Sequence, residues 1–464
     1  MAKVTVVGAG LSGSLVAVFL ARRGHSVEVF ERYPGAVTTR AGRPALNITL
    51  CERGLTALEA VGLRESVLEL AVPARGRQVH VPDGSIRYQP YGNHGEAIYS
   101  ISRSDLNQVL VDFASRERGV QFRFEQKCTY LDITQGRACF EHTRSGEAIE
   151  TTSDIILGAD GAYSTVRSFM QKREHFNYSQ QYWRVGGYKS LSLPAGPQGK
   201  PVLPGEALHI WPRGSRMLIG FPNRDGSAML SLLLPLTGPD SFKSLSDERS
   251  VLALFRSLFP DIAEAIPSLA KQFFERPANS LLTVRCSPWS MNGKVLLLGD
   301  SAHAVLPSYG QGANAAFEDC LALDACMAEH GDSWSSVFEA FENARRADLD
   351  VMANLCVEHF SELSDLIADP QFLKRRDVER QLTELYPELY QSLYSMISFS
   401  HIPYAEAFRI ERRQRSAVDK ILTLEAAGAA LDTPAVRRLL ENRTAGPKLS
   451  DEPNWLEDPG AVPT

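Results

Sequence analysis

The stretch that decides the fold is Lys3-Val-Thr-Val-Val7 with Gly8-Ala-Gly10-Leu-Ser-Gly13 behind it, then Val27-Glu-Val-Phe30 and Glu31. The first five residues lean towards β-branched types, the run Leu11 to Arg23 has helical texture, and Val27 to Phe30 reads as a second strand. Strand, glycines, helix and strand in that order form the opening βαβ unit of a doubly wound parallel sheet. The glycines permit a tight turn and close backbone approach, so a pyrophosphate can rest on the helix N-terminus. Glu31, at the end of the second strand, is placed to accept a hydrogen bond from a ribose 2′-hydroxyl. A lone GxGxxG is a weak signal, but here strand, helix and acid stand in register, and the reading is a dinucleotide site. The uncharged run from Val4 to Ala21 competes as a signal peptide or membrane helix, and Gly8, Gly10 and Gly13 argue against that.

Working outward, the chain has 464 residues, which at about 150 residues per domain corresponds to about three structural units. Apolar residues make up 44% and charged residues 22%, the mix of an ordinary folded protein rather than a disordered or collagen-like one. The net charge is −6 with no long block of one sign, which argues against a nucleic-acid or anionic-membrane surface. Seven scattered cysteines without a Cys-x-x-Cys fit reduced core thiols in a cytoplasmic protein and no metal site.

The texture changes along the chain. Asp154-Ile-Ile-Leu157 and Val295-Leu-Leu-Leu298 are short apolar runs suited to buried parallel strands. Between them Leu208–Trp211, Met217–Phe221 and Met229–Leu234, separated by turn residues, read as an antiparallel meander. After Pro307 the pattern is helical to about Leu440. The expected fold is therefore α/β, a discontinuous doubly wound nucleotide-binding domain (1–70, 96–180 and 285–330) with an inserted antiparallel sheet domain (71–95 and 181–284). A helical region (331–440) and a flexible tail (441–464) complete it.

Two further motifs place an Asp at a strand's carboxyl end, Gly158-Ala-Asp160-Gly161 and Leu298-Gly299-Asp300. Either Asp alone reads as a helix cap. Together with the glycine loop they resemble the FAD-dependent aromatic hydroxylases, the group A flavoprotein monooxygenases. The resemblance implies bound FAD, with Asp160 in the second signature and Asp300 at the ribityl chain. It also implies that Arg103 reaches the pyrophosphate and that the loop Pro307, Gly310, Gln311, Gly312, Ala313 and Asn314 lies against the isoalloxazine. A helix N-terminus aimed there stabilises negative charge on the reduced ring. No second nucleotide domain is evident, so NADPH or NADH is expected as a transient co-substrate.

The segments Arg75-Gly-Arg77, Gln89-Pro-Tyr91-Gly92, Ser100-Ile-Ser-Arg103, Leu208-His-Ile-Trp-Pro212, Gly310–Asp319 and Tyr394–Ser400 narrow the likeness to the kynurenine 3-monooxygenase family. That implies hydroxylation of a kynurenine-type aromatic amino acid at the ring carbon ortho to the amine, with NAD(P)H and O2, through a C4a-hydroperoxyflavin. Arg77, Tyr91 and Tyr394 match residues that hold the amino-acid end, and His359 stands where an asparagine contacts it. An arginine fork suits a carboxylate. The amine already activates the ring, so the protein's task is placement and exclusion of water. Ser308, Ala313 and Leu233 depart from the family's bulkier residues, so a roomier ring end is expected. A tailoring hydroxylase of another aromatic, such as a substituted kynurenine or an anthranilate- or tryptophan-derived compound, is the alternative. A tryptophan-type halogenase is disfavoured because no two of the five tryptophans stand two apart. A non-enzymatic escort protein of this fold would not need three intact flavin signatures. No nucleic acid, membrane or metal is expected, and the oligomeric state is left open.

Overall fold

The computed structural model describes residues 1–35, 46–203, 205–366 and 369–442. The tail expected after Leu440 lies outside the described residues from 443 onward. Among the described residues, a six-stranded sheet runs in the order Ser290–Met291, Val295–Leu297, Ile155–Gly158, Lys3–Val7, Ser26–Phe30, Val120–Arg123. All neighbours pair in parallel except the short Ser290–Met291 edge. Val4, Val6, Val27, Val29 and Ile156 are almost fully buried, as expected of strands covered on both faces.

From Lys3–Val7 the chain first builds outward through Ser26–Phe30 to Val120–Arg123, then returns to the other side through Ile155–Gly158. The strand order therefore reverses beside Lys3–Val7. The crevice at such a reversal, outside the carboxyl ends of the strands, is where doubly wound sheets bind ligands. Gly8, Asp160 and Asp300 all follow strands that end there.

A seven-stranded sheet has the order Asn279–Ser287, Asn177–Leu193, Ala228–Leu234, Arg216–Pro222, Ala207–Arg213, Gly76–His80, Ile86–Pro90. Its pairings are antiparallel with one exception, Ala207–Arg213 beside Gly76–His80, which joins two distant chain segments in parallel. Alternation sorts its residues between faces. Leu230, Leu232 and Leu234 pack with Val251, Phe255, Ile262 and Phe273 from three helices at Glu248–Leu258, Pro260–Ala263 and Leu269–Glu275. Leu233 joins Ile210 and Met217 in the large core shared with the nucleotide-binding sheet.

The helices Gly312–His330 and Trp334–Ser361 follow, then Pro370–Leu385, Leu393–Ser398 and Tyr404–Ala426. Gly312–His330, Trp334–Ser361, Leu393–Ser398 and the start of Tyr404–Ala426 pack into the large core, whereas Pro370–Leu385 packs on the later part of Tyr404–Ala426 in a separate cluster. Among the described residues no helix is long and apolar enough to cross a membrane. The seven cysteines are free and six are buried.

Candidate active site

The three glycines of the first loop do three different things. Gly8 has φ +104°, and a β-carbon there would collide with the Ala159 carbonyl of the neighbouring strand loop. Gly13 packs so closely on the Gly8 carbonyl that a side chain has no room. Gly10 faces open space, with nothing within 4 Å of its missing β-carbon. The Leu11–Arg22 helix begins here with no capping side chain and no acidic residue in its first turn. Its free N–H groups and positive dipole end therefore face the gap. Buried Glu31 accepts hydrogen bonds from Ala9 N (2.9 Å) and Tyr33 N (3.0 Å), which ties the end of the second strand to the loop.

The second and third motifs are fastened together. Asp160 accepts from Ser164 Oγ (2.5 Å), Ser301 Oγ (3.2 Å) and the Thr165 and Val166 amides (2.6 and 3.2 Å). Burial raises its pKa, and the Ser164 hydroxyl and the Thr165 and Val166 amides work against that shift. Ser301 Oγ accepts from Gly161 N (2.9 Å), and Arg167 donates to the Ser301 carbonyl (2.6 Å). The Asp160 carboxylate is thus occupied by protein donors, whereas Asp300 is exposed in the cleft. A β-carbon at Gly299 would stand 3.1 Å from Ser12 Oγ, so this motif abuts the first glycine loop. Tyr188 senses both Arg103 and Asp300: burial raises its pKa, Arg103 lowers it and Asp300 raises it. Arg103 is exposed at the start of the Arg103–Ala114 helix and makes no side-chain hydrogen bond among the described residues.

Pro307–Tyr309 is one turn of 3₁₀ helix, and Gly310 follows at φ +66°, pressed against Thr49. Gly312 opens the Gly312–His330 helix, again with no capping side chain or first-turn acid, and its missing β-carbon would lie 4.0 Å from Asp300 Oδ1. Ala313 beside it is half-buried. Gln311 and Asn314 turn inward. Asn314 accepts from Cys51 N (2.9 Å) and donates to the Thr49 and Gly310 carbonyls (3.0 and 2.7 Å). Gln311 accepts from the Tyr404 hydroxyl (3.1 Å). Both side chains shape the loop from beneath.

On the far side of this loop the structure brings Arg77, Tyr91, Tyr394 and His359 together. The Tyr91 and Tyr394 rings stack with centroids 5.0 Å apart, and Tyr309 lies 4.1 Å from His359 and 6.0 Å from Tyr394. Arg77 Nε donates to Gln89 Oε1 (2.8 Å), and no carboxylate lies within ion-pair distance among the described residues. Burial draws the guanidinium below its ordinary pKa; Tyr91, Tyr394 and Glu362 oppose this and Arg376 adds to it. Gln89 Nε2 is buried without a hydrogen-bond partner. His359 is held well below the usual histidine range by burial, with Arg77 and Arg376 acting in the same direction. It is therefore neutral. Its Nδ1–H donates to the Ser308 carbonyl (3.1 Å), which leaves Nε2 as an acceptor. Burial likewise pushes the Tyr91 hydroxyl up to about 12.

Sequence reasoning singled out neither Gln89 nor Arg376 as site residues. Gln89 precedes the Pro-Tyr pair and carried that signal only as part of a motif. Arg376 sits in Lys374-Arg-Arg-Asp377, which resembles a solvated charge run. In the fold it pairs with Glu379 (2.9 Å) and Glu362 (3.0 Å), and lines a small charged pocket behind Tyr309 and His359.

Residues 1–192 and 262–350 match the FAD binding domain family. A kynurenine 3-monooxygenase of Flavobacterium psychrophilum is 40% identical over 423 residues, covering 91% of this chain and 94% of that one. One from Myxococcus xanthus is 43% identical over 411 residues, 88% of each chain. Among solved structures, 2-methyl-3-hydroxypyridine-5-carboxylic acid oxygenase superposes with a TM-score of 0.65 at 24% identity, covering 82% of this chain and 97% of its own. Pseudomonas aeruginosa PqsL, solved with 2-aminobenzoylacetate, gives 0.64 at 19% identity, over 80% and 99%. These two likenesses speak to the fold.

Proposed function

Because this chain belongs to the kynurenine 3-monooxygenase family of FAD-dependent aromatic hydroxylases, we propose that it hydroxylates kynurenine or a ring-substituted relative at the carbon ortho to the ring amine. The chain is an FAD-dependent aromatic monooxygenase, and NADPH is the reductant typical of its family. Bound FAD supplies the redox chemistry, taking electrons from the nicotinamide and activating O2. The residues present fit that cofactor. The open space at Gly10 and the uncapped helix behind it suit the pyrophosphate, with exposed Arg103 as its countercharge. Glu31 suits the ribose, Asp300 the ribityl chain, and the Gly312 helix N-terminus the isoalloxazine.

One observation carries the substrate reading. Arg77 is half-buried, lacks a carboxylate partner among the described residues, and faces two tyrosines beside the flavin loop. A guanidinium partly withdrawn from water without an ion partner is costly unless a ligand completes it. A substrate α-carboxylate does so, and the orphaned Gln89 Nε2 offers it another donor. Neutral His359, an acceptor at Nε2, suits the α-ammonium group. Tyr309 and Leu233 then flank the aromatic ring, which has no need of a strong protein base because its amine already activates it. Small side chains at Ser308 and Ala313 favour substituted rings among the substrates.

The test is NADPH oxidation and product mass across kynurenine, ring-substituted kynurenines, anthranilate and tryptophan. Stimulation by the kynurenines with a mass gain of one oxygen is expected. Equal or better turnover of a substrate without the amino-acid side chain would transfer the reading to a different tailoring hydroxylase.

A further inference from the structure

A single buried arginine ties the substrate end of the site to the flavin end. Arg53 lies on the first turn of the Glu52–Val61 helix and is 1% exposed. Its Nε donates to the Ile397 carbonyl (2.6 Å), and the Nη2 group donates to the carbonyls of Met396 (3.3 Å) and Ile402. Nη1 pairs with Glu318 (2.8 Å) on the helix that begins at Gly312. The guanidinium plane lies over the Tyr404 ring, 4.2 Å from its centre, and Tyr404 in turn bonds Gln311 of the flavin loop.

Met396 and Ile397 belong to the Leu393–Ser398 helix, which carries Tyr394. Six residues make a helix too short to hold its own direction. Its last carbonyls have no partner within the helix and carry its negative dipole end. Ser392 caps one end of it by accepting from Ser395 N (3.2 Å), and Arg53 serves the other from a distant part of the chain. The mount is rigid. Cys51 N bonds Asn314, and a β-carbon at Gly54 would strike the Asn314 side chain, so the turn bearing Arg53 is keyed to the flavin loop on both sides of it.

We propose that Arg53 is a positioning residue for the substrate end of the site: one guanidinium, divided between Glu318 and three carbonyls of the Met396–Ile402 turn, sets Tyr394 relative to the loop facing the flavin. The planar fork is what allows this. Four acceptors in different directions are served at once by one side chain, and a lysine ammonium on its single flexible stem cannot reproduce the pattern. Beyond Glu318 the chain of pairs runs on to Arg345 (3.3 Å) and Asp319 (2.9 Å), whose second oxygen accepts from Gly299 N (3.0 Å) in the Asp300 motif. Burial alone would raise Asp319, but His303 and Arg345 hold it down at about 2, so this link is ionised at every working pH.

The consequence for kynurenine rests on the substrate reading above; the placement of the Tyr394 helix does not. The experiment therefore has two readouts on FAD-loaded Arg53→Lys. Amide hydrogen exchange without substrate should show lost protection over Leu393–Ser398, with Leu11–Arg22 unchanged. Kinetics should show KM for kynurenine raised tenfold or more, a smaller change in kcat, and less product per NADPH oxidised. Combined with Tyr394→Phe, the two KM effects should be less than multiplicative. Unchanged exchange over the Tyr394 helix, or loss of protection spread evenly through the chain, overturns the proposal. So do KM effects that multiply fully. Failure of the parent to respond to kynurenine refutes the substrate reading alone and leaves the exchange result standing. Should Arg53→Lys yield no folded holoenzyme, Glu318→Gln carries the same exchange test, with a smaller shift in the same direction expected and parental exchange counting against the proposal.

Discussion

Replacing Arg77 by methionine should weaken kynurenine binding and strengthen the empty protein at the same time. The side chain keeps much of its length and loses its fork. In the free site Arg77 Nε is held by Gln89 Oε1 at 2.8 Å, and no carboxylate balances the charge among the described residues. A charge-assisted pair with a carboxylate contributes about 1.5–3 kcal/mol, so kynurenine should bind roughly ten- to 150-fold less tightly. Without ligand the same guanidinium is a half-buried, uncompensated charge, already drawn below its ordinary pKa by the loss of solvent around it. Removing it should stabilise the ligand-free protein by about 1 kcal/mol, the usual trade between a functional site and fold stability. Binding is read by titrating the flavin absorbance without NADPH, so that no turnover intervenes. Stability is read from the urea midpoint. A decarboxylated analogue is the control, and its weak binding should barely change. If Arg77→Met binds kynurenine as tightly as the parent, or loses the analogue equally, the arginine does not hold the carboxylate.

Gly10 and Gly8 should respond oppositely to a side chain. Gly10→Val has room within the protein and an extended ψ, so it should fold yet purify without its yellow colour, whereas Gly8→Ala, at φ +104° against Ala159, should lower the melting temperature. Asp300→Ala should also purify largely FAD-free while retaining its circular dichroism; normal flavin occupancy would remove Asp300 from the cofactor site. His359 is neutral in the fold with its pKa depressed, so only the unfolded chain takes up its proton as the pH drops through about 6.5. Stability from this site is complete above that pH and falls below it by at most about 1.4 kcal/mol per pH unit, and His359→Asn should flatten that part of the urea-midpoint profile. An unchanged profile would mean His359 titrates normally. Tyr91→Phe and Tyr394→Phe each remove one neutral hydrogen bond, so their effect on kynurenine binding should be about fivefold, well short of Arg77→Met, measured by the same titration.

Much of this was legible in the chain itself, because each legible element is local. The Gly8–Gly13 loop, Glu31 and the apolar runs at 154–157 and 295–298 announce themselves within a few residues; the runs stand in the fold as the strands Ile155–Gly158 and Val295–Leu297, and the loop joins Lys3–Val7 to the Leu11–Arg22 helix. The meander strands from Leu208 to Leu234 did so by their turns. What stayed hidden depends on contacts between distant segments. Gln311 and Asn314 were expected against the flavin by position in a loop, and only the fold reveals that their amides face Tyr404, Thr49 and Cys51. Arg53, between Glu52 and Gly54, looks like any charged residue at a helix start. Its four partners lie more than 260 residues away. The helices from Glu248 to Glu275 escaped because their pattern is short and broken by Pro260 and Pro267, although Asp247 and Ser250 form a capping box.

The order of strands in the nucleotide-binding sheet bears on how the protein is made. Lys3–Val7 and Ser26–Phe30 leave the ribosome early, but Val295–Leu297, the parallel neighbour of Ile155–Gly158 in the same sheet, and the Asp300 motif after it come much later. At about 5–20 residues per second, tens of seconds separate the first glycine loop from the Asp300 motif that abuts it. During that interval the nascent chain holds the first glycine loop with one wall of its cleft absent. Flavin capture is therefore a late event, one that follows synthesis of the sheet domain, and an amino-terminal fragment ending before residue 295 should be unable to retain the cofactor however well its first βαβ unit folds.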